Sequence, residues 1–271
     1  MELSEVDLVL VQEETHRGPV QMALEEIAAD RIAAGGAGLV RVFRWEPSTL
    51  SMGYGQDPET VDWDYCANAG IEVTRRQTGG GGIYHDNCGD ISYSIIVPKA
   101  AVSGDLLTAY HTLCEPILEF FDVIGIDAAY AEREHPSVYE PACFLRDIHP
   151  AHDILADGRK ICGNAQYRQR DAIIQHGSIL FDLATTDHLG VFNNPGVDRD
   201  RFESRTATIT ELVDISRAEA VEALTNCLAE WSNATQGTWA ETEITAAHDL
   251  ATAKYASDGW VLGEATRTRS D

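Results

Sequence analysis

Apolar residues alternate with polar ones over 90–98 (DISYSIIVP), the period of two that strands require, while 6–13 (VDLVLVQE) reads as a strand and 39–45 (LVRVFRW) as a short β-type run. Over 19–34 (PVQMALEEIAADRIAA) they recur at helical spacing behind an initial proline. Further strands are expected over 49–55 and 71–77, and a helix over 58–69. The helix expected at 105–124 has an amphipathic stripe, which Pro116 should disturb. Two β-type runs flank Asp157-Gly158, a strong signal for a tight hairpin, and 171–182 (DAIIQHGSILFD) reads as the next strand. Helices over 216–232 and 240–255 precede a polar tail at 261–271. Hairpin-paired strands with interspersed helices predict an α+β fold on a mostly antiparallel sheet, one domain spanning 1–260 with no accessory carboxyl-terminal domain. The polar loop at 131–142 is the one long irregular stretch, and such loops are often functional.

Composition narrows the function. A content of 44% hydrophobic residues supplies a core for 271 residues. No 18-residue apolar run or export signal is visible. The six cysteines (66, 88, 114, 143, 162 and 227) lack CxxC spacing, so they read as free thiols in a reducing compartment, the cytoplasm. Against 44 acidic residues stand 20 basic ones, a net charge of -24. That surface repels nucleic acid and anionic membranes, and its composition suggests adaptation to high salt. The lysines are Lys99, Lys160 and Lys254, so each is a candidate for a specific task.

The chemistry concentrates in four stretches. In RRQTGGGGIYHD (75–86), the glycines allow a backbone nest for an anion, and Arg75 or Arg76 can add a bidentate contact to phosphate or carboxylate. A glycine hairpin with surface arginines is the alternative. Neither common nucleotide fingerprint fits, because a strand follows the glycines. In GRKICGNAQ (158–166), Lys160 could stabilise developing negative charge, or simply be solvated. His176 in QHGSILFD, like His85, reads first as a buried, hydrogen-bonded histidine. Cys143 in EPACFLRDIHPAHD is a nucleophile only if a partner activates it.

These stretches, in this order and spacing, resemble the lipoate–protein ligase and octanoyltransferase family, and RGPVQMALEE and VFRWEPSTLSMGYGQ resemble its opening helix and strand pair. The likeness covers residues 6 to about 255. It implies a biotin/lipoate-ligase-like α+β fold, related to class II synthetases. It also implies an enzyme that attaches a lipoyl or octanoyl group to one lysine of a carrier, either the lipoyl domain of a 2-oxoacid dehydrogenase or the glycine cleavage H protein. By the same resemblance, Lys160 would polarise the activated acyl carbonyl. Arg75, Arg76, Gly79, Gly80, Gly81, Tyr84, His85, Gly163, Asn164, Ala165, His176 and Gly177 would form the acyl or acyl-adenylate site, with nearby isoleucines and valines against the fatty chain. No metal ligand is expected from the protein.

Two subfamilies compete. The glycine loop and the Lys-Ile-Cys-Gly-Asn-Ala-Gln run lie nearer the ligases, which use ATP and Mg²⁺, and this is the main expectation. A ligase lacking the accessory domain would need a separately encoded partner domain. The PACF context of Cys143 and QYRQRDAIIQHGSIL resemble the cysteine-type octanoyltransferases, which need no cofactor and take octanoyl from acyl-carrier protein. A biotin-protein ligase fits the lysine strand poorly, and a non-catalytic lipoate- or carrier-binding protein is the reading outside enzymology.

Overall fold

The computed structural model describes residues 3–193 and 196–263, so residues 264–271 of the expected tail lie outside the described residues. Its strands are β1 (Leu8–His16), β2 (Gly38–Trp45), β3 (Thr49–Met52), β4 (Glu72–Arg75), β5 (Ile83–His85), β6 (Asp90–Pro98), β7 (Ala128–Tyr130), β8 (Asp153–Ala156), β9 (Arg159–Gln169), β10 (Ala172–Leu180) and β11 (Thr235–Gly237). Its helices are α1 (Gly18–Ala33), α2 (Trp63–Ala69), α3 (Leu106–Val123), α4 (Thr185–Gly190), α5 (Arg199–Glu203), α6 (Ile209–Leu212), α7 (Arg217–Ser232), α8 (Glu241–Leu250) and α9 (Asp258–Val261).

The large sheet has the order β11-β1-β2-β6-β10-β9-β8-β7, and a small one the order β4-β3-β5. From β2 to β7 every pairing is antiparallel, as expected. The edge β11-β1-β2 and the β3-β4 pair are parallel, which makes the architecture mixed. Both central hairpins are tight. Asp157 (φ 54) and Gly158 (φ 72) are left-handed between β8 and β9, the requirement of a type I′ turn, and Arg170 (φ 49) opens the turn between β9 and β10.

Several expected elements differ in extent. The helix expected over 58–69 is interrupted, because Asp62 caps α2 by accepting from the Tyr65 N–H at 2.8 Å. In front of it stands only a 3₁₀ turn, Pro58–Thr60. The strand expected over 49–55 stops at Met52, where Gly53 meets the glycine loop: a Cβ there would lie 1.9 Å from the Gly80 carbonyl oxygen. The assigned helix α3 runs unbroken through Pro116. Val261, placed by its sequence position at the start of the tail, is buried as the last residue of α9.

Alternation along the strands builds two layers around the large sheet. Val40, Val42, Ile91, Ile95, Ile173 and Ile179 pack with Leu113 and Phe120 of α3 and Leu224 of α7. Leu39, Phe43, Ile96 and Ile174 pack with Leu24 and Ala28 of α1 and with Tyr255. A third cluster, including Leu50, Ile83, Phe144 and Phe202, forms the core beneath the small sheet. On the α1 side the apolar pattern breaks at Ser92, Ser94, His176 and Ser178, all buried. A run of polar residues on an inward face calls for hydrogen-bond partners or a ligand.

Candidate active site

A cavity of about 220 Å³ opens above that polar run. Its floor crosses the sheet along one register row: Gly163 of β9 faces Ser178 of β10, Ser178 faces Ser92 of β6, and Ser92 faces Phe43 of β2. At the usual spacing of neighbouring strands, three steps span about 14 Å. Small residues thus lead from Gly163 to an aromatic end, where Phe43, Trp45, Met22 and Ile83 line the cavity. The isoleucines and valines expected to hold a fatty chain mostly face the opposite layer of the sheet.

Cys143 and Lys160 meet over Gly163. The Lys160 Nζ lies 3.7 Å from the Cys143 sulfur and donates to the Cys143 carbonyl oxygen at 3.0 Å. It also pairs with Asp153 Oδ1 at 2.7 Å. A Cβ on Gly163 would lie 3.2 Å from both the sulfur and the Lys160 Cε, so glycine leaves room for the two functional groups. Burial disfavours the ammonium, but the electrostatic pull of the Cys143 sulfur and of the Asp153 carboxylate outweighs it and raises the Lys160 pKa. Burial would likewise lift the Asp153 carboxyl; Lys160 and His152 hold it well below the usual carboxylate range. The result is a water-excluded ammonium beside a thiol, able to stabilise negative charge on sulfur or on an adjacent oxyanion.

The glycine loop is built differently from the expected anion nest. Arg76 donates to the carbonyls of Gly79 (2.9 Å), Gly81 (2.6 Å) and Ser51 (2.6 Å) and to Thr78 Oγ1 (3.0 Å), so the loop turns carbonyls inward around a buried guanidinium. Burial pulls this guanidinium down to about 10, which leaves it charged at neutral pH. Gly80 (φ 94) makes the bend. The loop then positions the cysteine: the Cys143 N–H donates to the Gly82 carbonyl, and the Gly82 N–H to that of Pro141.

Arg75 is a correction. Its guanidinium donates to the carbonyls of Gly53, Tyr54, Gln56, Trp260 and Val261, pinning α9 to the turn after β3, and it does not line the cavity. Both arginines, expected to meet a phosphate, have their N–H groups on protein acceptors. In this conformation neither guanidinium has an N–H left over for a phosphate. Tyr84 is a second correction: it lies in the third apolar cluster, its hydroxyl on Asp86 (3.1 Å) and Asp187 (3.4 Å).

The other expected residues converge on the cavity: Arg76, Gly79, Gly80, Gly81, His85, Cys143, Lys160, Gly163, Asn164, Ala165, His176 and Gly177 all line it. Asn164 does so with its amide engaged, accepting from the Tyr93 hydroxyl at 2.5 Å and donating to the His152 carbonyl at 2.8 Å. Gly177 leaves room for that contact, since a Cβ would lie 2.4 Å from Asn164 Oδ1.

His85 and His176 are tied into one buried chain. Asp90 bonds His85 Nδ1 (3.0 Å), and His85 Nε2 meets Ser51 Oγ (2.8 Å), whose carbonyl accepts from Arg76. Arg76 reaches Thr78, Thr78 meets His176 Nε2 (2.8 Å), and His176 Nδ1 meets Glu25 at 3.0 Å. Burial is the main reason the His85 pKa falls, with Asp90 opposing it. Glu25, too, is held below its ordinary value: burial would raise it, and His176, Arg41 and Ser94 lower it.

Sequence reasoning missed Asp153, His152, Glu25, Asp90, Ser51 and Thr78. Asp153 left a signal: an acid opens a short apolar strand directly before the hairpin that carries Lys160. Glu25 carried none, being one acid among many on an acidic helix. Among the described residues, no group of three or more His, Cys, Asp and Glu side chains could hold a metal, and no helix is long and apolar enough to cross a membrane.

The family model of the lipoyl protein ligase A/B catalytic domain matches residues 18–229. The chain is 34% identical over 260 residues to octanoyltransferase LipM of Geobacillus kaustophilus, covering 88% of this chain and 92% of that one. It is 32% identical over 241 residues to octanoyltransferase LipM of Bacillus subtilis, covering 82% and 85%. A crystal structure of lipoate-protein ligase A bound with ATP superposes with a TM-score of 0.79 at 26% identity, over 97% of this chain and 99% of that one. A bi-partite lipoate protein ligase of Thermoplasma acidophilum, described with its E2 lipoyl domain, shares the fold with a TM-score of 0.75 at 24% identity, over 96% and 97%.

Proposed function

The chain belongs to the lipoyl protein ligase A/B catalytic family and is an enzyme of protein lipoylation; from that premise we propose that it is a cysteine-type octanoyltransferase. It moves octanoyl from an acyl-carrier protein thioester to a lysine of a lipoyl domain. The observation that carries this reading is the Cys143 sulfur 3.7 Å from the buried Lys160 ammonium, at the head of a cavity with an aromatic far end. The octanoyltransferase relatives support it over the ATP-dependent ligase that the glycine loop suggested. The engagement of Arg75 and Arg76 by backbone carbonyls weighs the same way.

In the first half-reaction, the Cys143 sulfur attacks the thioester carbonyl. A new C–S bond forms, the old one breaks, and the departing carrier thiolate takes the thiol proton. In the second, the carrier lysine amine attacks the acyl-Cys143 carbonyl, a C–N bond forms and the Cys143 sulfur leaves. Each tetrahedral intermediate places an oxyanion near Lys160, whose fixed ammonium stabilises it. Asp153 keeps that ammonium charged and aimed. The tail of the chain lies along the Gly163–Ser178–Ser92 floor toward Phe43.

Intact-mass spectrometry with an apo lipoyl domain tests the reading. One reaction holds octanoyl-carrier protein, the other octanoate, ATP and Mg²⁺. Modification without ATP, through an octanoyl-enzyme adduct that Cys143→Ser abolishes, is expected. Modification only with ATP, indifferent to Cys143→Ser, would establish the ligase instead. Lys160→Ala should slow transfer on the order of 10²-fold or more; an unaffected function would favour a non-catalytic binder.

A further inference from the structure

Transfer to a lysine needs a proton acceptor, because an amine attacks only after its ammonium has lost a proton. The groups nearest the sulfur are unsuited to this. Lys160 is held as an ammonium, and its pKa is raised. Asp153 is held as a carboxylate well below the usual range. His85 and His176 line the cavity, but both nitrogens of each ring are already bonded: Ser51 and Asp90 for one, Thr78 and Glu25 for the other.

His152 differs on each point. It lines the same cavity, and its side chain is 34% exposed, so a substrate arriving from solvent can reach it. Its Nδ1 is buried and faces Asp153 Oδ1 at 3.5 Å without a hydrogen bond, and among the described residues its Nε2 has none either. The ring is held by stacking on His149 (5.1 Å, 11° between planes) and by Tyr110 of α3 at 5.5 Å. Its carbonyl is fixed by the Asn164 amide.

We propose that His152 is the general base that takes a proton from the attacking lysine of the carrier domain. This rests on the octanoyltransferase reading. The carrier ammonium gives one proton to His152 Nε2, the free amine forms the C–N bond, and the C–S bond breaks. The departing Cys143 sulfur takes the second amine proton, and His152 releases its own to solvent. The products are an amide, a thiol and one proton, which balances a thioester and an ammonium. Asp153, between the imidazole and Lys160, stabilises the imidazolium that forms. The other titratable or charged groups around the ring are His149, whose Nε2 lies 3.6 Å from Glu134, Tyr110, and Arg146 and Asp147 on the cavity wall.

The test starts from isolated octanoyl-Cys143 enzyme and follows single-turnover transfer to an apo lipoyl domain across pH, in wild type, His152→Asn and His152→Gln. The wild-type rate should carry a pH dependence that both variants lose. Both variants should be about 10²-fold slower at neutral pH, should rise only where free amine begins to accumulate, and should regain rate with added imidazole. Wild-type pH dependence in both variants, with no response to imidazole, overturns the assignment. Failure of any octanoyl-Cys143 enzyme to form overturns the octanoyltransferase reading itself, and the assignment with it.

Discussion

Lys160 and Asp153 form an ion pair 2.7 Å long from which water is excluded, the lysine 3% and the aspartate 1% exposed. Removing one partner from such a pair leaves an uncompensated buried charge. Asp153→Asn should therefore cost about 3 kcal/mol of stability in urea titration. The Asp153 pKa is lowered on folding, so its contribution is present above the unfolded value of about 3.9 and is lost as pH falls through the folded value. The Lys160 pKa is raised, so its contribution is present below about 10.4 and is lost as pH rises through the folded value. The pair's contribution to wild-type stability should then hold from about pH 5 to about 9, and the gap to Asp153→Asn, whose lone buried ammonium gives up its proton more easily, should narrow as pH rises. A gap that widens as pH rises from 6 to 8 would contradict the pairing.

Gly163→Ala should act on chemistry and spare the fold. The added methyl meets the Cys143 sulfur and Lys160 Cε at 3.2 Å, so the two groups must part. Acyl-enzyme formation, followed by intact mass, should slow about 10-fold or more. The melting temperature should move by no more than about 1 kcal/mol of stability would produce.

The adjacent arginines should separate by phenotype. Arg75→Met strips the donors from several buried carbonyls and frees α9, and should cost about 3 kcal/mol while the folded fraction still acylates normally. Arg76→Lys keeps a charge but cannot hold Gly79, Gly81, Ser51 and Thr78 together. It should slow acylation at Cys143 severalfold, because the loop that Arg76 shapes also bonds the cysteine backbone. Melting curves beside burst amplitudes would distinguish the two.

Phe43→Leu shortens the aromatic end of the floor row. In competition between octanoyl and longer acyl donors, the variant should shift toward the longer ones, at a stability cost of about 1 kcal/mol. An unchanged length preference would mean that the chain does not lie along that row.

Much of this was legible in the sequence because it was local. The Asp157-Gly158 turn sets the register of β8 and β9, and the order of the three motifs carries the family. The parallel β11-β1-β2 edge was not legible: β11 is three residues long and pairs with a strand more than 200 residues earlier, so nothing near it announces it. Arg75 and Arg76 were indistinguishable as adjacent cations. The strand β4 ends at Arg75, whose side chain goes to α9, while Arg76, the first residue past the strand, turns into the cavity. Glu25 and Asp90 stayed hidden because a buried acid differs from the surface acids only by partners far away in the chain.

The chain of hydrogen bonds from Asp90 through His85, Ser51, Arg76, Thr78 and His176 to Glu25 joins the small sheet, the glycine loop, the large sheet and α1. Its members constrain one another, so the cavity walls cannot adjust one at a time. Rotamer and loop entropy that a softer site would lose on meeting its substrate is lost here during folding. Substrate should then bind with little further ordering, and replacements at the two ends, such as Asp90→Asn and Glu25→Gln, should be non-additive although they act on different histidines.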